Sequence, residues 1–198
     1  MKAPLLSVDK IEFEKISVEV NPEFDGEYSS ELKKVNFNYK GSRFFRSVSL
    51  SYPDDQLADP RFFSFTLNLV LSQDNQKSEI ILPYSIDVKA TAYMRYDGEK
   101  HKNVELFRAV RATGYAILYG SIREMISNLT ARGPHGLWML PAADFNSAAQ
   151  EEAQQDEMDR QKAIAERQPL DCLSDSVEDK PKRSSATKKG KASKNPLE

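Results

Sequence analysis

One cysteine, Cys172, and two histidines, His101 and His135, are all that 198 residues offer of the two side chains that most often bind zinc. A lone cysteine excludes an intrachain disulfide and suits a reducing compartment. His101 lies in a charged turn (DGEKHKN) and His135 in a Gly-Pro stop, and neither has a Cys, His or acid at metal-ligand spacing. There is no G-x-S-x-G elbow, P-loop or dinucleotide loop, and Cys172 has no Cys-His signature beside it. Apolar runs are short: none approaches the roughly 18 residues that cross a bilayer. The opening MKAPLLSVDKIEFEK turns charged at Asp9, before a leader's apolar core could form. These absences lead us to expect a soluble cytoplasmic protein with no membrane insertion, no metal, no cofactor and no catalytic chemistry.

What is present is a strongly polarised chain. Residues 180–198 carry seven Lys/Arg against one acid, a local charge of +6, which leaves −8 for residues 1–179 out of a total of −2. From Pro169 onward Ser, Asp, Lys and Pro dominate, so 168–198 is expected to be a disordered basic tail. Without interleaved aromatics the tail is read as a solubilising end rather than a nucleic-acid contact, and an acidic partner is the other docking it allows.

Five segments alternate with period two, the mark of a half-buried antiparallel sheet. They are 8–20, 33–39, 43–52, 61–71 and 79–94. In the first, Ile11 and Phe13 give way to Ile16, Val18 and Val20, and the phase change near Glu14 and Lys15 predicts a β-bulge. After Asp97–Gly98 the period lengthens. Residues 103–131 lack proline and end Ala131–Arg132–Gly133–Pro134, a helix with its stop. Its apolar and small residues wrap most of the circumference, so it must be covered on more than one side. The expected second cover is another copy of the chain, through Gly114, Tyr115, Leu118, Ile122 and Met125. The alternative is that Gly114 and Gly120 break the segment into two helices. Residues 134–146 form an apolar connector with the only tryptophan, and 147–167 read as a helix that faces solvent or docks weakly, since Met158 and Ile164 are nearly its only large apolar positions.

The fold class expected is α+β: an antiparallel sheet of four or slightly more strands, packed with a long helix and a short C-terminal helix. The expected divisions are 1–148 as the main domain, 149–167 as a C-terminal helix and 168–198 as the tail. This order resembles the SecB export chaperones, and four sequence segments strengthen the likeness. Ile16-Ser17-Val18-Glu19 is similar to the family's Ile-Ser-Phe-Glu. Gln56-Leu57-Ala58-Asp59 precedes the Phe/Leu strand, as in the family's crossover loop. Ile122-Arg123-Glu124 and Ala131-Arg132-Gly133 keep its Arg-Glu and Arg-Gly spacing. Leu140-Pro141-Ala142-Ala143-Asp144-Phe145 is similar to its Leu-Ala-Pro-Val-Asn-Phe.

The resemblance implies an ATP-independent holdase, a dimer of dimers binding unfolded preproteins in apolar grooves, with SecA engaged through an acidic patch on the sheet. At that patch only Glu19 is matched, because Lys15 stands where the family carries an acid. SecB-like proteins also protect antitoxins in toxin–antitoxin systems, so an antitoxin is the other client implied. Candidate client-binding residues are Phe37, Tyr39, Phe44, Leu50, Tyr52, Leu57, Trp138, Leu140 and Phe145. For each, ordinary core is the competing reading. Trp138 and Leu57 stand out because they lie in connectors. The rivals from other classes are a subunit-bridging adaptor and a hot-dog thioesterase, whose central helix follows an early strand rather than all of them.

Overall fold

A computed structural model describes residues 5–25, 34–35 (backbone course only), 42–73 and 82–167. The expected strand positions Phe37 and Tyr39, residues 79–81 and the tail 168–198 lie outside the described residues. Strands β1 (Leu6–Val20), β3 (Ser42–Ser51), β4 (Phe62–Gln73) and β5 (Tyr84–Tyr96) form one antiparallel sheet in the order β1-β5-β4-β3. β2 (Lys34–Val35) stands apart and pairs in parallel with β6 (Leu137–Trp138).

The phase change in β1 has the expected cause. Its register against β5 slips between Phe13 and Lys15, and a second slip lies between Val8 and Lys10. With Glu14 bulged out, Phe13 opposes Ala90 and Ile16 opposes Val88, so odd and even apolar residues share one face. The β3–β4 ladder, in contrast, runs unbroken from Ser42↔Gln73 to Ser51↔Ser64. Residues 52–61 therefore close a hairpin between neighbouring strands. They are not a crossover, which corrects the reading of Gln56–Asp59. β1 and β3 lie at opposite edges of the sheet.

Helix α1 (Val104–Thr130) is unbroken, which removes the two-helix alternative. It lies on the face formed by Phe63, Phe65, Leu67, Leu69 and Leu71 of β4 and alternate residues of β5, nearly all shut off from solvent. Burying each such side chain contributes about 1.5–3 kcal/mol, so this helix-sheet layer is the core. Gly114 marks the closest approach: a Cβ there would sit 2.5 Å from the Phe65 ring. Ala at position 114 is expected to cost about 1–3 kcal/mol through overpacking, read as a lower urea midpoint at unchanged m; an unchanged midpoint would show that the helix can lift away.

Gly114, Tyr115, Leu118 and Ile122 are thus buried within one chain and cannot form an oligomer contact. The second cover for α1 comes from its own connector and from α2 (Asn146–Arg167). Phe145 stacks on Tyr115 at 4.5 Å between ring centroids and meets Tyr119 edge-on at 5.2 Å. Met125 alone of the expected interface residues is half-exposed, lining a groove with Phe13 and Leu129. The described residues through Glu166 form one compact unit, with α2 in it.

Candidate functional site

The two sheet edges differ in character. β1 carries two bulges and Asp9, Lys10, Glu12, Glu14, Lys15 and Glu19, features that keep an edge from pairing. β3 has no bulge, no proline and no acid, and among the described residues no strand pairs with its outer side. Ten residues at about 3.3 Å each make this edge roughly 30 Å long. Phe44 and Phe45 stand at one end on opposite faces, 39 % and 54 % exposed. At the other end Tyr52, Phe62, Phe63 and Tyr93 line a cleft of about 330 Å³. An extended peptide laid along β3 would meet a strand edge that no described strand pairs with, and aromatic surface at both ends.

Of the nine expected client-binding residues, the structure brings Phe44, Leu50 and Tyr52 together on the inner face of β3. Leu50 and Tyr52 are half-buried, and the Tyr52 ring meets those of Phe63 and Phe107. Leu57 is half-buried in the β3–β4 turn, its carbonyl accepting a hydrogen bond from Arg160. Phe145 is half-buried against α1.

Trp138 and Leu140 are fully enclosed, at 0 % and 1 % exposure, which corrects their reading as client-facing residues. The connector folds back on the end of α1. The Thr130 hydroxyl accepts from the Trp138 N–H and the indole lies 5.8 Å from the Tyr84 ring. Arg123 donates to the Leu140 carbonyl. Phe45, on the face opposite Phe44, is absent from the expected set, and the Phe44–Phe45 doublet that breaks the alternation is the signal that could have found it.

The outer face of the sheet is charge-balanced. Lys10 pairs with Glu12, Lys15 with Asp87 and Lys89 with Glu14. Hydrogen bonds from Lys89 and Thr91 hold the Glu14 carboxyl below the usual range, and those from Lys10 and Tyr93 do the same for Glu12. Glu19 is exposed and accepts from Ser17. His135 Nε2 bonds the Asn21 carbonyl, and the backbone N–H of His101 donates to the Tyr96 hydroxyl. Among the described residues no three His, Cys, Asp or Glu side chains converge as a metal would need, and no helix is long and apolar enough to cross a membrane.

α2 is held in an unexpected way. Among the described residues few backbone approaches tie it to the other elements, and long polar side chains span the gap. Arg111 of α1, only 7 % exposed, binds Glu152 and Asp156, and Glu152 also accepts from Arg46 and the Tyr115 hydroxyl. Burial, then the bond to Glu152, pushes the Tyr115 phenol far up. Further along, Arg160 binds Glu157, the Leu57 and Ala58 carbonyls and Asn103. Burial opposes the ionised Glu157, yet hydrogen bonds from Arg160 and Gln161 hold its carboxyl below the usual range. A run of Ala, Glu, Gln and Arg thereby docks without large apolar residues, a case that apolar periodicity does not register.

Together these features define an α+β fold, a helix-backed antiparallel sheet whose edge strand β3 has no strand on its outer side among the described residues. No protein-family model matches the sequence, and no curated protein does. Among solved structures, the chain is similar to a SecB-like chaperone of Mycobacterium tuberculosis in complex with a peptide from the HigA1 antitoxin. That likeness has a TM-score of 0.45 at 17 % identity, covering 70 % of this chain and 88 % of that one. It is also similar to a protein of unknown function from Streptococcus agalactiae, with a TM-score of 0.39 at 10 % identity over 70 % of this chain and 97 % of that one.

Proposed function

We propose that this chain is a cytoplasmic, ATP-independent holdase that performs no catalysis and binds non-native polypeptide along β3. The observation that carries the reading is the open edge of β3 with Phe44 and Phe45 exposed beside it. Main-chain hydrogen bonds are indifferent to sequence, and apolar burial, at about 25 cal/mol per Å², is indifferent to direction, so together they suit clients of many sequences. The reading agrees with the sequence resemblance to SecB. An antitoxin client fits better than hand-off of exported precursors to SecA, because the carboxylates of the outer face beside Glu19 are matched by lysines.

For the homo-oligomer that the resemblance implies, the exposed stripe of α1 through Ala116 and Gly120 offers a contact surface in place of the buried residues first expected. The test is light scattering from a slow-folding client diluted from denaturant, with the purified chain at stoichiometric ratio. Suppression is expected at micromolar concentration without nucleotide; undiminished aggregation would overturn the reading.

A further inference from the structure

The two outer strands differ in how their charge is arranged. Along β1 acids and bases are mixed, and Lys10 and Lys15 are each paired. Along β3 the signs separate. Arg43 and Arg46 stand near its start, residues 42–53 hold no acid, and Asp54 and Asp55 follow in the exposed turn after Pro53. Asp9 of β1 reaches this same end, where it lines the cleft with Tyr52, Phe62, Phe63 and Tyr93. Asp9 and Asp55 are exposed, and among the described residues neither has a cation partner. A carboxylate rim over aromatic walls suits a basic side chain, whose stem packs on the rings while its charge meets the acid. The faces of β3 are sorted as well. Val48, Leu50 and Tyr52 pack against the core from one face, and Ser47, Ser49 and Ser51 stand exposed on the other. A strand added beside β3 continues both faces, so its alternate side chains meet apolar neighbours and then hydroxyls.

We propose that β3 accepts client strands in one direction, antiparallel, with a base of the client's N-terminal flank in the Asp9 cleft and an acid of its C-terminal flank beside Arg43. The client class that fits is a segment alternating apolar and small polar residues, basic before and acidic after. Antiparallel pairing is the more stable per residue. It sets the client's first residues against the end of β3, where the carboxylates lie, and its last residues against Arg43 and Arg46. A client with its flanking charges reversed must give up either the charge match or the better ladder. Exposed ion pairs are individually weak, but the pairs gained and the repulsions avoided together amount to about a five- to tenfold preference at low salt. This direction rests on the client-holding reading of the same edge.

The experiment uses the full chain and three labelled peptides that share a core of alternating valine and threonine. The first carries Arg-Lys before the core and Glu-Glu after it, the second carries these flanks exchanged, and the third has glutamine at both. In about 0.1 M NaCl the first should bind about five- to tenfold tighter than the second. In about 1 M NaCl, where the screening length falls from about 10 to 3 Å, the two should agree within about twofold. Asp9→Asn/Asp55→Asn should cut the low-salt preference to about twofold or less and leave the glutamine peptide's affinity unchanged. A nitroxide on the first peptide's N-terminal flank should broaden the amide signals of Ser51, Tyr52 and Asp54, and one on its C-terminal flank those of Ser42 and Arg43. Equal binding of the charged peptides at low salt, a preference that survives the double substitution, or broadening in the opposite sense would overturn the direction. In each of those cases, binding of the glutamine peptide leaves the client-holding reading in place. If none of the three peptides binds, the direction and that reading fall together.

Discussion

Serine at both Phe44 and Phe45 is expected to weaken binding of an unfolded client about 30- to 100-fold while leaving the fold nearly as stable as before. The two rings are 39 % and 54 % exposed, so about half of each remains for a client to cover. A fully buried Phe side chain contributes about 1.5–3 kcal/mol, so half-burial of two amounts to about 1.5–3 kcal/mol, a range that brackets that loss in affinity. Since the exposed portions contribute little to folding, the melting temperature should move by only a few degrees. The measurement is anisotropy of a labelled, permanently unfolded polypeptide, with circular dichroism to confirm the fold. Retained affinity in a folded double variant would remove β3 from the client surface and direct attention to the groove beside Met125.

Alanine at Trp138 should do the reverse. Loss of a fully buried indole costs about 3–5 kcal/mol, and for a unit of this size that is a fall of about 10–15 °C in Tm. The side chain is enclosed between Tyr84 and the end of α1, where Thr130 fixes the backbone of β6. Below the new melting temperature, client affinity per folded molecule should match that of the unsubstituted chain. A variant that melts normally but no longer binds would mean that the indole faces the client after all. The pair of variants separates binding from folding, since each is expected to move one measurement and spare the other.

The elements were largely legible because alternation is a local property. Each strand of the main sheet declared itself, even the bulge at Glu14, since pleat geometry ties face to parity. Long-range choices were less accessible. Nothing local distinguishes a tyrosine at position 115 facing its own Phe65 from one facing a second chain, so the apolar circumference of α1 was assigned to an oligomer when the chain's own connector covers part of it. Trp138 misled because it lies in a connector, and only the fold-back through Thr130 makes that connector part of the core. α2 was legible as a helix but its docking was not: Glu152 and Asp156 read as solvent charges until Arg111, more than forty residues earlier in the chain, is placed beneath them. At the edges, the contrast between a bulged, charged β1 and a plain β3 was written in the sequence, yet which strands end up outermost depends on pairing that no single segment records.

The close seat of Gly114 on Phe65 bears on how fast clients come and go. With no space between α1 and β4, the platform cannot remould itself around each guest; apart from α2 it is a stiff template. All of the ordering must then fall on the incoming chain, which keeps the affinity of one β3 edge modest and its residence brief. Retaining a long polypeptide would require several such templates engaged at once, each releasing and recapturing its stretch while the others hold. A client leaving in this way would depart piecemeal, with successive segments free to fold in turn.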